Sequence, residues 1–218
     1  MRTLSHSLYM TVRHFRALMR QPVYIAFTLV QPIIWLVLFG QLFKNIVLLP
    51  GFGASAYVDF LTPGVVIMTV LFGAGWSGMG VIRDLDHGVM DRFLVSPASR
   101  VALIAGRLIQ LATVAVIQSV LIVVLGLIMG ARFPGGIAGV ILLIICAVLL
   151  AVPIGALSCA MALVARKEET VIAASNFILL PLTFLSSVFM AANLMPDWIQ
   201  AVAHFNPVEW AVVAGRSA

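Results

Sequence analysis

The hydrophobic positions of this chain form long uninterrupted blocks, and short segments between the blocks hold nearly all of the charges. No Asp, Glu, Lys or Arg occurs in residues 21–43, 60–82, 108–131, 133–165 or 170–196. Each block is longer than the ~20 apolar residues that a helix needs to cross a hydrocarbon core about 30 Å thick. Because the blocks are continuously apolar and do not alternate, they favour helices over strands. The pattern predicts transmembrane helices over 23–43, 58–82, 101–130, 136–165 and 170–191.

Composition excludes a soluble domain. Of the 218 residues, 62% are hydrophobic and 10% are charged, whereas soluble domains carry roughly 25% charged residues. The first apolar stretch, Pro22 to Phe43, is too long for the core of a signal peptide and precedes no small-residue cleavage site. Cys146 and Cys159 fall in one predicted helix, about 20 Å apart along its axis, so they cannot form a disulfide. The predicted fold is an all-α integral membrane protein, a polytopic helical bundle of one domain over residues 1–218.

The distribution of basic residues predicts the orientation. If the five helices alternate in direction, one side of the membrane receives Arg2, Arg13, Arg16, Arg20, Arg83, Arg92, Arg100, Arg107, Arg166 and Lys167, and the other receives Lys44, Arg132 and Arg216. The basic side is normally cytoplasmic. We therefore expect a multi-pass protein of the bacterial plasma (inner) membrane with a cytoplasmic N-terminus. The net charge of +5 then indicates contact with anionic lipid headgroups and not with nucleic acid.

The segment before the first helix is amphipathic when projected at 100° per residue. Its apolar side chains fall within an arc of about 120°, and its arginines lie on the far side. This separation is typical of a helix that lies in the membrane plane over residues 1–21; a basic flank that only sets the topology is the alternative. The proposed anchors are Leu8, Val12, Phe15 and Leu18 on the apolar face, with Arg13, Arg16 and Arg20 opposite.

The loop after the second helix, residues 83–100, is too charged to be embedded in the membrane. If the chain is helical from about Asp86, then Val89, Met90, Phe93 and Leu94 share one face, opposite Asp91 and Arg92. Ser96 and Pro97 are suited to begin the next helix as its N-cap and first residue. The apolar face would rest either on lipid headgroups or in a groove of a soluble partner, and the residues alone leave both open.

A few polar residues interrupt the predicted spans. Amides and hydroxyls in hydrocarbon usually face other helices or a cavity, so they either form interhelical hydrogen bonds or line a substrate path. The residues considered for such a path are Gln31, Gln118, Asn176 and Thr183. The remaining segment, 193–218, is interrupted by Pro196 and Pro207 and is expected to form an external or re-entrant helical hairpin.

The absence of several motifs excludes some classes of function for this chain. Apart from Asp59 at the very start of the second span, no predicted span holds a carboxylate or a histidine to relay protons. No G-x-x-x-x-G-K-[ST] motif is present to bind ATP. The four histidines lack metal-ligand spacing, and no nucleophile–base pair is evident. We therefore expect a chain that is not an enzyme and binds no cofactor or metal, and whose transport activity is powered by a partner. A membrane scaffold that recruits a cytoplasmic partner without transport is the alternative.

Three ordered stretches carry a resemblance to a known family. They are Leu94-Val95-Ser96-Pro97-Ala98-Ser99-Arg100, the run Leu180 to Phe189, and Leu194-Met195-Pro196-Asp197-Trp198-Ile199-Gln200 with the following Phe205-Asn206-Pro207-Val208-Glu209-Trp210. Together with Arg20-Gln21-Pro22, this set resembles ABC-2-type exporter permeases, in particular the branch of daunorubicin-resistance-type drug-efflux permeases.

The resemblance implies a permease that pairs with an ABC ATPase subunit, usually as two permeases (a homodimer or heterodimer) with two ATPases that bind ATP and Mg²⁺. Residues 1–21 would be the connecting helix and 193–218 the external hairpin. The implied ATPase-coupling residues are Asp86, Gly88, Val89, Met90, Asp91, Phe93, Leu94, Ser96, Pro97 and Arg100. The family has six spans, so a sixth is expected after Arg216 and the sequence is expected to be truncated. The apolar interior favours an amphiphilic drug or a lipid-like substrate.

Overall fold

The structure, a computed structural model, describes residues 22–48, 56–89 and 100–217, and the side chains of 30–47, 56–89 and 104–217. The predicted in-plane helix at 1–21, with all of its proposed anchors, lies outside the described residues. The α-helices are α1 (Pro22–Leu42), α2 (Tyr57–Gly75), α3 (Met79–Asp86), α4 (Arg100–Ile128), α5 (Gly136–Ala165), α6 (Glu168–Phe184), α7 (Asp197–Ala203) and α8 (Pro207–Ser217). No strand occurs in these ranges, which confirms the all-α prediction.

The long helices have the length and composition of membrane spans. Among the described residues, Tyr57–Asp86 (α2 and α3 together), Ile104–Ile128 and Gly136–Ala165 are each long and apolar enough to cross a bilayer. The described side chains of α1 form a shorter apolar stretch, Val30–Leu42. Continuous hydrophobic sequence without charge makes a helix with internally satisfied backbone the favoured form in lipid. The chain is therefore a multi-pass membrane protein.

Helix α2 is the centre of the bundle. Leu61, Val65, Val66, Ile67 and Leu71 are fully or almost fully buried, and α2 packs against α1, α4, α5, α6 and α8. The outer faces of the surrounding helices remain apolar and exposed, as at Ile128, Ile137 and Leu149. Such a surface would be unfavourable in water but is suited to lipid or to another membrane chain.

Two predicted spans differ from the observed helices. The span predicted at 58–82 is interrupted by a turn at residues 76–78, so that α2 ends at Gly75 and α3 begins at Met79. The span predicted at 170–191 ends at Phe184. Asn206 ends it, because its Nδ2 donates to the carbonyls of Leu182 (2.6 Å) and Leu185 (2.9 Å). Polar contacts from a distant part of the chain thus replace helical hydrogen bonds, and apolar pattern alone does not reveal them.

The predicted hairpin at 193–218 consists of α7 and α8, joined by a turn at 204–206. Asn206 begins α8: its Oδ1 accepts the Val208 N–H at 2.9 Å, and Pro207 occupies the first helical position. Helix α8 packs against α2, α5 and α6, with Val208 and Val212 fully buried. The packing follows from the apolar face of α8, because Val208, Ala211 and Val212 are buried against these helices.

Candidate functional site: the junction of α2 and α3

The turn between α2 and α3 releases backbone groups inside the bundle, and side chains from neighbouring helices bind them. The Gly75 carbonyl accepts hydrogen bonds from Ser158 Oγ of α5 and Ser175 Oγ of α6. Ser158 Oγ also accepts the Gly78 N–H at 3.0 Å. Buried backbone groups without partners are costly. These two serines therefore make the interrupted helix tolerable in an apolar setting.

Arg107 of α4 binds the same turn from another direction. Its Nη2 donates to the Ser77 carbonyl at 3.0 Å, and its Nη1 lies 3.3 Å from Asp84 Oδ2. The side chains of Arg107 and Asp84 are only 15% and 22% exposed, so solvent screens this ion pair less than a surface pair. The Arg107 guanidinium thus connects α4 both to the turn before α3 and to the last turn of α3.

The side chain of Trp76 completes the contacts of the turn. Its Nε1 donates to Asn176 Oδ1 of α6 at 3.3 Å. The junction layer, as we name Trp76, Ser77, Arg107, Ser158, Ser175 and Asn176, therefore receives contributions from α4, α5 and α6.

The junction layer separates two apolar clusters. The main core holds Ala74, Leu111, Ala151 and Leu179 at its near edge. Beyond the layer, Val81 and Ile82 of α3 pack with Ala162 and Val171 in a second cluster. The side chains of each cluster pack with one another, and the hydrogen bonds of the junction layer lie between the two clusters.

Gly78 allows α3 to approach α5 at this level. A Cβ at position 78 would overlap with the Ser158 carbonyl and would lie 2.7 Å from Ser158 Oγ. The obstacle is largely backbone, which cannot move aside as the end of a flexible side chain can. The close approach also brings the Gly78 N–H within reach of Ser158.

The start of the predicted coupling loop is described. Asp86 is the last residue of α3, and the His87 ring Nδ1 lies 2.7 Å from the Arg83 carbonyl. Gly88 has a φ of +62° and donates its N–H to the Leu85 carbonyl, a common way for a helix to end. Asp86 therefore belongs to α3, and the loop helix predicted from about Asp86 can begin no earlier than Val89.

The rest of that loop lies outside the described residues. This applies to Met90, Asp91, Phe93, Leu94, Ser96 and Pro97. Arg100 begins α4, but its side chain is not described. The two helices that flank the loop, α3 and α4, are the two that Arg107 joins.

The residues considered for a substrate path lie on α1, α4 and α6 and differ in their surroundings. Gln31 is exposed on α1. Gln118 is buried against α2, where its Oε1 would lie 3.3 Å from a Cβ at Gly73. Thr183 donates to the Leu179 carbonyl of its own helix at 2.8 Å. Asn176 Oδ1 accepts the hydrogen bond from Trp76 Nε1. The assignment of these residues to a substrate path remains a prediction.

Sequence reasoning used Arg107 only as a topology marker and did not predict the helix break. The available signal was Gly75-Trp76-Ser77-Gly78, a run of poor helix formers inside an apolar block, with an arginine seven residues into the next span. Ser158 and Ser175 are polar residues inside predicted spans, and both form hydrogen bonds with the turn between α2 and α3.

A second polar cluster lies where α8 meets the chain after α6. Glu209 Oε2 accepts the Ser187 N–H, and Arg216 donates to the Ser187 hydroxyl (2.9 Å) and carbonyl. Arg216 Nε also donates to the Phe60 carbonyl of α2 at 3.1 Å, and its guanidinium carbon lies 3.4 Å from the centre of the Phe60 ring. This cluster connects α2, α8 and the non-helical segment after α6.

Comparison with known proteins places this chain in one family, which matches it over almost its full length. The sequence model of the family described as ABC-2 type transporter matches residues 6–218. The chain is similar to the daunorubicin resistance ABC transporter permease protein DrrB1 of Streptomyces coeruleorubidus, with 31% identity over 95% of this chain and 70% of that protein.

More distant relatives are also named as permeases. A putative transport permease, ycf38, of Porphyra purpurea is 29% identical over 92% of this chain and 69% of its own length. A probable doxorubicin resistance ABC transporter permease protein, DrrC, of Mycobacterium tuberculosis is 22% identical over 86% of this chain and 67% of its own. These relatives are transport permeases and not enzymes. Together with the apolar helical bundle, the matches show that this chain belongs to the ABC-2 type transporter family.

Proposed function

We propose that this chain is the transmembrane subunit of an ATP-driven exporter that moves an amphiphilic drug or lipid-like molecule out of the cytoplasm. Family membership over residues 6–218 is the observation that carries the proposal. Two of the relatives cited above are named for resistance to daunorubicin or doxorubicin, and both drugs are amphiphilic. The exposed apolar faces of α4 and α5 offer contact with lipid or with a second permease in a homodimer or heterodimer.

The ATP and Mg²⁺ would be bound by a separate ABC ATPase subunit, since this sequence has no phosphate-binding loop. Work done by that subunit reaches the permease only through a contact whose geometry changes. The loop between α3 and α4 is our proposed contact. It follows directly on α3, which is joined to the junction layer through Arg107.

Phe93→Ala is expected to weaken binding of the ATPase and abolish transport while leaving membrane insertion intact. An aromatic anchor in an interface pocket often contributes about 2 kcal/mol or more. The ATPase is first identified as the protein that co-purifies with the tagged full-length permease and cross-links to 8-azido-ATP. Its recovery is then compared for wild type and Phe93→Ala at matched membrane levels.

Phe205→Ala is the matched control, because Phe205 is 79% exposed and lies in the turn between α7 and α8, far along the chain from the loop. It removes the same side chain and should leave ATPase recovery unchanged. Equal recovery with Phe93→Ala would place the loop on lipid headgroups and refute the coupling role. ATP-dependent uptake of doxorubicin into inverted vesicles tests the proposed substrate class.

The orientation proposed from the basic residues predicts a definite labelling pattern. Single cysteines are introduced at Pro134 and at Lys167, both exposed, after Cys146 and Cys159 are replaced by serine. The Pro134→Cys protein should react with an impermeant maleimide in intact cells, and the Lys167→Cys protein only after the cells are opened. The reverse pattern would invert the topology. Pro134 is preferable to the neighbouring Ala131, which is buried.

A further inference from the structure

We propose that the turn at residues 76–78 is the hinge through which movement of the loop after α3 reaches α2, and that Arg107 is the positioning residue that makes α3 and the adjoining end of α4 move as one body. This inference rests on the proposed function and adds to it the place where the motion enters the bundle. It names one side chain on which efficient coupling depends.

The first support is the division of the bundle into two apolar clusters. Apolar packing holds α3 to α5 and α6 through Val81, Ile82, Ala162 and Val171. The main core holds α2 to the same helices on the other side of the junction layer. Rearranging close-packed cores is costly, so a rigid displacement is easier at a level where few apolar side chains interlock.

The second support is the kind of contact made in the junction layer. Hydroxyl groups of Ser158 and Ser175 hold the freed backbone groups of Gly75 and Gly78. Hydroxyls rotate to suit their partners and serve as donor or acceptor. A change of angle between α2 and α3 can therefore proceed by exchange of these bonds without leaving a buried amide unpaired. A continuous helix has no such freedom, because its carbonyls and N–H groups are bound within the helix.

The third support is the placement of Arg107. The planar guanidinium presents several donors in a fixed arrangement, and here it binds Ser77 at the hinge and Asp84 in the last turn of α3. A force applied to the loop acts on α3 and α4 together, because both ends of the loop are bound to each other through this residue. Without it, α3 could move independently of α4, and part of the displacement would be lost before it reached α2.

Gly80 is consistent with this arrangement. A Cβ at position 80 would overlap with Nη2 of Arg107. The surface of α3 is therefore open at the place where the guanidinium crosses it to reach the Ser77 carbonyl.

The test uses the complete transporter, permease with its ATPase, reconstituted in lipid vesicles, and measures doxorubicin transported per ATP hydrolysed. Arg107→Gln should lower this ratio by about tenfold, in line with the loss of a charge-assisted contact, while the ATPase still binds and hydrolyses ATP. Arg107→Lys keeps the charge but not the two separate donors that reach Ser77 and Asp84, so it should restore only part of the ratio. A purely structural role would lower the amount of protein and not the ratio.

Arg83→Gln and Lys167→Gln are the matched controls. Arg83 also lies on α3 and forms an ion pair with Glu168 at 3.5 Å, but the two side chains are 46% and 40% exposed, so its loss should have little effect. Lys167 is exposed beside α6. Both controls remove a basic residue on the same predicted side and should keep the ratio of the wild type.

Spin labels report the motion itself. The distance between labels on His87→Cys and Pro134→Cys, which lie on opposite sides of the junction layer, should change when the ATPase is trapped with vanadate. The distance between His87→Cys and Lys167→Cys, on the same side, should stay constant. In Arg107→Gln the first change should shrink and the second distance should become heterogeneous.

The outcomes separate the two proposals. If the wild type binds no ATPase, or hydrolysis drives no transport, the proposed function fails and the hinge with it. If the wild type transports and Arg107→Gln retains its transport per ATP, or the label distances do not respond to vanadate, the hinge is refuted while the proposed function stands.

Discussion

Gly78→Ala is expected to destabilise the folded protein by about 3 kcal/mol, at the upper end of what overpacking costs. The added methyl group would overlap with the Ser158 backbone, so α3 and α5 must separate. Separation also stretches the hydrogen bond from the Gly78 N–H to Ser158 Oγ, which exposes a buried donor to a further penalty. The free energy of unfolding is measured for the full-length protein in mixed micelles by titration with SDS.

Gly40→Ala is the control for this substitution. A Cβ at position 40 would lie 3.5 Å from Val58 and 3.6 Å from Met129, which is ordinary van der Waals contact. Because alanine favours a helix over glycine, we expect this variant to be neutral or slightly more stable. If Gly78→Ala unfolded at the same SDS fraction as Gly40→Ala, the close approach of α3 to α5 would be wrong.

The sequence predicted the helical elements well where apolar pattern decides them. Helix α5 begins at 136 and ends at 165, as predicted, because its charge-free block is bounded by Pro134 and Arg166, where the pattern itself ends. The same reasoning failed at Gly75–Gly78 and after Phe184. There the chain stays apolar, and the helix ends because polar groups distant in sequence bind its backbone.

Site residues were harder to predict for the same physical reason. The proposed substrate path grouped Gln31, Gln118, Asn176 and Thr183 because each is polar within a span. Their partners depend on helix rotation and depth, which the pattern of a single apolar block leaves undetermined. Arg107 carried no motif, and its significance became visible only with Ser77 and Asp84 beside it. The predicted coupling residues from Met90 to Pro97 remain predictions.

Arg216→Met should be among the most destabilising substitutions in the described part of the chain, at about 3–5 kcal/mol, because it removes a cation that binds three backbone carbonyls and leaves the buried Glu209 carboxylate without a nearby positive charge. Methionine retains much of the side-chain volume but has no donor. The carbonyls of Phe60, Ser187 and Val188 would each lose a hydrogen bond, and the face of the Phe60 ring would lose its cation.

Loss of Arg216 also affects the buried carboxylate of Glu209. Glu209 is 8% exposed, and both residues bind Ser187, so the arginine offsets the cost of burying a carboxylate there. Without Arg216, the Glu209 carboxylate still accepts the Ser187 N–H, but the positive charge that was bound to the same residue is gone. Glu209→Gln in the wild-type background should therefore destabilise the protein, whereas in the Arg216→Met background it should cost less or even restore stability.

The double-mutant cycle of Arg216→Met and Glu209→Gln measures this dependence directly. We expect a coupling energy of about 1–3 kcal/mol, in the range found for residues that share a buried network. Arg132→Met is the control, because Arg132 is an exposed arginine at the turn between α4 and α5; its loss should cost under about 0.5 kcal/mol, as for other surface substitutions. Additive effects of the two substitutions would show that Arg216 and Glu209 hold Ser187 independently. A coupled result would mean that α8, α2 and the segment after α6 are fastened by one charge-balanced cluster, which is what keeps α8 within the core.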